Sequence, residues 1–203
     1  MEWIEQKENA QWISDPQRVQ DVGTWFHGSL PIANQKPLEM VLMRGPPGCG
    51  KTRFARKYLE SQGYEWLNQD VLKTKAKMKK AITTALKGKK SVIVDKTHPD
   101  RASRREWMDI GKSMNAHIRL FNMTTPREIA EHNNMVRVRV SRNQRTKVSS
   151  VVYHTFYKKA REDEELSLKE GFDEIVHIDF VPEWKDENER KMWMQFTSFG
   201  RFG

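Results

Sequence analysis

From residue 39 onward, short apolar runs alternate with longer mixed stretches. The runs at 40–44, 64–67, 91–95, 117–121 and 175–180 read as strands, and the stretches 51–61, 71–87, 100–114, 126–134 and 148–161 as helices. Strand–helix alternation of this kind predicts an α/β fold: a parallel sheet of about five strands with helices on both faces. Gly88 is placed to cap the second helix. The fourth has a marked start, with Thr125 as N-cap, Pro126 at the first helical position and Glu128 closing a capping box. The stretch 135–147 begins by alternating apolar and basic residues, as a strand would. Its five basic residues and lack of acids suit an Arg-rich lid over phosphates better. Residues 1–38 read as an N-terminal arm, with Trp3, Trp12, Trp25 and Phe26 expected to pack onto the domain. The domain itself spans 39–184, and 185–203 form a C-terminal tail. There is no internal repeat.

Composition narrows the class. The net charge is +9, and because residues 1–40 are acidic the remainder is near +12, which suggests a polyanionic partner. Cys49 is the single cysteine, so no intrachain disulfide forms and a reducing compartment is expected. No run of eighteen apolar residues exists, so no membrane partner is expected. The acidic N-terminus has neither an apolar core nor an Arg-rich transit pattern, leaving cytosol or nucleus.

The chemistry centres on residues 45–52, Gly45-Pro46-Pro47-Gly48-Cys49-Gly50-Lys51-Thr52, a full phosphate-binding loop. Glycines let successive N–H groups turn inward as an anion nest at a helix N-terminus. Lys51 supplies charge to the β and γ phosphates, and the Thr52 hydroxyl is a ligand for Mg²⁺. Gly45, Gly48, Cys49 and Gly50 complete the nucleotide site, ATP or another NTP being the donor. The position of Cys49 suggests that thiol reagents would block nucleotide binding.

Three further groups give the loop a context. Asp70, after the second strand, lies where ligands bind in a doubly wound sheet; it suits a general base and equally an N-cap for a helix starting at Val71. Asp95 ends the third strand, where a carboxylate can hold Mg²⁺ through water. Thr97 and His98 follow it toward an acceptor cleft, His98 alone reading better as structural. Arg101, Arg104 and Arg105 fall near one helical face, and Arg137, Arg139, Arg142 and Arg145 occupy the lid. Eight lysines, Lys73 and Lys75 among them, crowd residues 71–90 without an acid. Such a bias favours a nucleic-acid backbone track over a merely solvated face.

Together these pieces resemble the kinase domain of the polynucleotide 5′-hydroxyl kinase family, including that of the animal polynucleotide kinase 3′-phosphatases. The resemblance runs from about Leu42 to Trp184. It rests on the phosphate loop, Gly63-Tyr64 leading into Asn68-Gln69-Asp70, and Asp95-Lys96-Thr97-His98-Pro99-Asp100. It continues through Ala102-Ser103-Arg104, His132-Asn133-Asn134-Met135-Val136-Arg137 and Glu170-Gly171-Phe172. The resemblance implies a P-loop kinase fold and γ-phosphoryl transfer from an NTP to a 5′-hydroxyl end of DNA or RNA. It makes Asp70 the general base and Arg137 the lid arginine on the moving phosphate, and assigns Asp95 and Thr97 to the acceptor and metal region. Arg104, Lys73 and Lys75 are added as acceptor contacts. Departures exist: Gln69 stands where phage-type members carry Arg, and Lys96 and His98 where asparagines are common. The chain has no Asp-x-Asp-x-Thr sequence, which points to a free-standing kinase without a haloacid-dehalogenase-type phosphatase. A metabolite kinase on the same fold, or a non-catalytic nucleic-acid binder, are the rival readings.

Overall fold

The computed structural model describes residues 38–141, 147–163, 165–180, 182, 184 and 186–195. The N-terminal arm, the C-terminal residues from 196, and Arg142 and Arg145 lie outside them. Five strands, β1 (Glu39–Arg44), β2 (Glu65–Asn68), β3 (Val92–Asp95), β4 (His117–Met123) and β5 (Glu174–Ile178), form one parallel sheet in the order β2-β3-β1-β4-β5. β1 is central because it is apolar at every position from Met40 to Met43, and both of its faces must be covered. Met40 and Leu42 point into one core with Ile82, Trp107 and Leu120; Val41 and Met43 point into the other with Phe54, Phe121 and Tyr153.

The helices that cover these faces differ from expectation in three places. The segment after the phosphate loop begins as α1 (Lys51–Phe54), widens to a π turn at Ala55–Leu59 and tightens to a 3₁₀ turn at Glu60–Gln62. Gly63 then stops it at φ 90°, a left-handed conformation that disfavours a side chain. The second expected helix is two helices, α2 (Gln69–Leu72) and α3 (Lys75–Lys87). Lys73 turns to φ 68° between them, and Thr74 caps α3 by accepting from the Lys77 N–H. Gly88 caps the end of α3 as expected, but at φ −75°; the left-handed residue is Lys89.

α4 (Arg101–Ser113) opens with a capping box between Asp100 and Ser103. The fourth expected helix is longer than its pattern suggested. α5 runs through Arg127–Ser141, so Val136-Arg137-Val138-Arg139 is helical, not a strand or loop. Val136 and Val138 are buried while Arg137 and Arg139 are exposed. α6 (Ser150–Glu162) and α7 (Glu187–Gln195) complete the fold. No helix among the described residues is long and apolar enough to cross a membrane.

Among the described residues Trp107 on α4 is the largest fully buried side chain, and the Lys96 ammonium lies 5.0 Å from its ring centroid. Trp107→Ala should lower unfolding free energy by about 3–5 kcal/mol, read from the urea midpoint at unchanged slope.

Candidate active site

All five parallel strands end on the same side, and the crevice there opens where neighbouring strands lead away in opposite directions. β1 delivers the phosphate loop to this point. The Gly45 N–H donates to the Thr97 carbonyl at 3.1 Å, joining the loop to the chain beyond β3. Lys51 Nζ donates to the Gly45 and Pro46 carbonyls at 2.9 and 2.8 Å, so the ammonium sits inside its own loop. Gly50 precedes α1 without a side-chain cap, and the first N–H groups of the helix face the loop.

β3 delivers Asp95, 2% exposed, beside that loop. Its Oδ2 accepts from the Thr52 hydroxyl at 2.6 Å, the Trp66 indole at 3.0 Å and the Asn68 amide at 3.2 Å. A hydroxyl and a carboxylate so placed are the hard oxygen donors that Mg²⁺ takes beside phosphates. No group of three or more His, Cys, Asp or Glu side chains among the described residues is gathered as a metal cage.

β2 ends in Asn68, and here the expectation for Asp70 changes. Asn68 is the N-cap of α2: its Oδ1 accepts from the Asp70 N–H at 2.8 Å and from the Val71 N–H at 3.4 Å. The capping task offered to Asp70 is already taken, and the Asp70 carboxylate stays exposed on the cleft wall. Lys96 lies across from it. Burial lowers the Lys96 pKa, Lys75 adds to the effect, and Glu106 and Asp70 oppose it.

The cleft, about 1140 Å³, brings together Gly48, Gly50, Lys51, Thr52, Asp70, Asp95, Thr97 and Arg137. Arg137 reaches it from α5, with Nη2 donating to Asn134 Oδ1 at 2.8 Å. The remaining expected site residues stand elsewhere. Gly45 and Cys49 belong to the phosphate loop but do not line the cleft. Cys49 is fully buried, and burial raises its thiol pKa despite the opposing charge of Lys51. Ready attack by thiol reagents is therefore not expected.

Arg104 is not an acceptor contact. It is 0% exposed and bonded to Asp163 at 2.7 Å and to both oxygens of Glu170 at 2.8 and 2.9 Å. Two carboxylates, 59 and 66 residues away, hold its guanidinium inside the fold. Lys73 and Lys75 do not line the cleft. Lys75 and Lys79 share Glu106 at 2.5 and 2.6 Å, an acid that α4 brings to the lysine-rich face.

His98 does not line the cleft either. It is buried, with Nδ1 donating to the Met43 carbonyl at 2.7 Å. Burial drives its pKa down to about 3; the Met43 bond opposes this and Lys96, Lys51 and Arg104 reinforce it. The cleft is also lined by residues not expected at the site from sequence: Asn133, Val152, Phe180, Trp184 and Trp193. No spacing in the chain links them, since they come from three separate elements and a loop.

Two outcomes follow from these buried groups. A thiol-specific disulfide reagent should modify Cys49 on the order of 10²-fold more slowly in native than in urea-unfolded protein. For His98, the unfolded chain takes up a proton below about pH 6.5 and the folded protein only near pH 3. Stability should thus fall as pH drops through that window. His98→Asn, a residue that tolerates the φ of 45° found there, should flatten the fall in urea midpoints.

A bifunctional polynucleotide phosphatase/kinase of Schizosaccharomyces pombe is 35% identical over 142 residues, 70% of this chain and 34% of its own. A protein of Acanthamoeba polyphaga mimivirus named for the same two activities is 35% identical over 170 residues, 79% of this chain and 38% of its own. The chain thus spans between 34% and 38% of the length of these relatives. In three dimensions it resembles Kti12 of Chaetomium thermophilum, solved in complex with ADP-AlF3, with a TM-score of 0.52 and 16% identity. That match covers 79% of this chain and 100% of that one. Residues 40–162 match the AAA domain family. With a parallel five-stranded sheet, an intact phosphate loop and that match, the chain belongs to the AAA domain family and has the fold of the P-loop kinases.

Proposed function

We propose that the protein transfers the γ-phosphoryl group of an NTP to the 5′-hydroxyl end of DNA or RNA. The observation that carries this reading is the release of Asp70 from capping. A carboxylate with no hydrogen bond among the described residues shares one cleft with the phosphate loop, and Arg137 lines the same cleft. Similarity to proteins named polynucleotide phosphatase/kinase supports the choice of acceptor.

In this reaction the acceptor oxygen forms a bond to the γ-phosphorus, and the bond from that phosphorus to the β,γ-bridging oxygen breaks, releasing the nucleoside diphosphate. The proton of the hydroxyl passes to the Asp70 carboxylate. Lys51 and the loop N–H groups hold the β and γ oxygens, and Arg137 faces charge on the migrating group. Thr52 and Asp95 would hold Mg²⁺, which withdraws charge from the phosphate oxygens. Thr97 and Lys96 border the acceptor side.

The exposed lysines from 73 to 90 extend the basic surface away from Asp70, where a polymer continues and a small acceptor does not. Pairing of Lys75 and Lys79 with Glu106, and of Lys90 with Glu65, leaves Lys73, Lys77, Lys80, Lys87 and Lys89 as its stronger candidates.

With γ-labelled ATP and Mg²⁺, label should appear on a 5′-hydroxyl oligonucleotide, and Asp70→Asn should lower turnover by about 10²–10⁴-fold with NTP affinity retained. Near-normal turnover in that variant would remove Asp70 as the base. Wild-type protein that binds NTP yet labels neither DNA nor RNA would exclude the polynucleotide acceptor.

A further inference from the structure

One turn of α5 holds three separate parts of the molecule. His132 Nε2 donates to the Trp193 carbonyl at 2.9 Å, and its ring meets the Trp193 ring edge-on at 4.5 Å. Asn134 accepts from the Val148 N–H at 3.3 Å and donates to the Val148 carbonyl at 3.2 Å, while also receiving Arg137. Asn133, between them, donates from Nδ2 to the Gly48 carbonyl at 2.9 Å and accepts at Oδ1 from the Trp193 indole at 2.8 Å. A carbonyl only accepts and an indole N–H only donates, so the two partners leave this amide one orientation.

Gly48 belongs to the phosphate loop, and the loop is pressed hard onto α5. A Cβ at Gly48 would stand 2.2 Å from the Ala130 carbonyl, and φ there is 78°. The next carbonyl, that of Cys49, accepts from the Thr125 hydroxyl at 3.0 Å, just before the same helix. In a planar trans peptide the N–H lies opposite the C=O. Holding the Cys49 carbonyl toward Thr125 therefore turns the Gly50 N–H the other way, and holding the Gly48 carbonyl fixes the preceding plane. An anion nest depends on such peptide orientations.

We propose that Asn133 is a positioning residue of the nucleotide site. It sets the Gly48 peptide of the phosphate loop and is itself set by Trp193, making helix α7 a working part of donor binding. Gly48 and Trp193 lie 85 and 60 residues from Asn133, so the relay joins three distant segments. The proposal rests on the nucleotide-binding half of the function given above and not on the acceptor.

The test is MgADP titration by calorimetry, without acceptor, on the full chain. Asn133→Ala should weaken MgADP by about tenfold, the loss associated with one buried hydrogen bond to the loop. Trp193→Phe keeps a ring and removes the N–H; it should weaken MgADP by about threefold, and in the Asn133→Ala background it should add nothing. Steady-state assays should show KM for the NTP rising more than kcat falls.

An Asn133→Ala affinity within about twofold of wild type, even with a lowered melting temperature, would reduce Asn133 to a packing role and overturn the proposal. Additive losses in the double variant would do the same for the Trp193 relay. Should Asn133→Ala fail to fold, Trp193→Phe alone decides, since unchanged affinity there breaks the chain from α7 to the loop. A wild-type protein that binds MgADP but phosphorylates no oligonucleotide would defeat the acceptor assignment and leave this test standing.

Discussion

The Asp95 carboxylate is the point on which the site depends. Almost wholly buried at the end of β3, it is stabilised by donors from three directions: Thr52 on α1, Trp66 in β2 and Asn68 at the end of β2. A buried carboxylate is tolerated only where such donors replace water. The same contacts fix the distance between the phosphate loop and β2. Asn68, held to Asp95 through its amide nitrogen, caps α2 through its oxygen and so presents Asp70. The phosphate-loop side and the Asp70 side of the cleft are thus joined through one side chain.

A second layer of charge locks the helices around that centre. Arg104 gathers Asp163, from the end of α6, and Glu170, from the turn before β5, and donates to the His98 carbonyl at 3.4 Å. Asp163 also accepts from the Arg101 N–H at the start of α4. At the opposite ends of the strands, Glu39 is buried and receives the Tyr64 hydroxyl and Arg119, which in turn pairs with Glu174 at 2.6 Å. Charge buried this way contributes less to net stability than to a single arrangement, because losing either partner leaves the other stranded. The core of the sheet supplies the bulk of the cohesion, and these clusters set how its layers sit.

The α5 helix has a different logic. Its inner face meets the core through Ile129 and Ala130, while His132, Asn133 and Asn134 grip α7, the phosphate loop and Val148. Polar side chains in a tight crevice are stabilised when every donor and acceptor has a counterpart. The chemistry of the cleft is therefore supported from the side opposite Asp95 as well, so that the loop lies between two hydrogen-bonded frames.

Local signals were enough for much of this. Apolar runs bounded by Gly, Pro and polar residues located all five strands to within two residues at each end, because a strand buried on both faces has little choice of residue. The phosphate loop was legible because its chemistry is contiguous: eight residues in a row carry it. The π turn after Phe54, the break at Lys73 and the helical state of Val136–Arg139 were not legible. In each the outcome rests on packing against elements distant in sequence, which overrides local preference. The identity of Asp70 as an acidic residue at a strand end was visible, but its freedom was decided by Asn68 taking the cap. Arg104 was misread for the same reason, since its two carboxylates arrive only when α6 and the turn before β5 close onto α4. Sequence alone determined the strand–loop–helix unit that meets phosphate. Tertiary structure decided which charges face the cleft and which are neutralised inside, because charge pairing depends on distance in space and not along the chain.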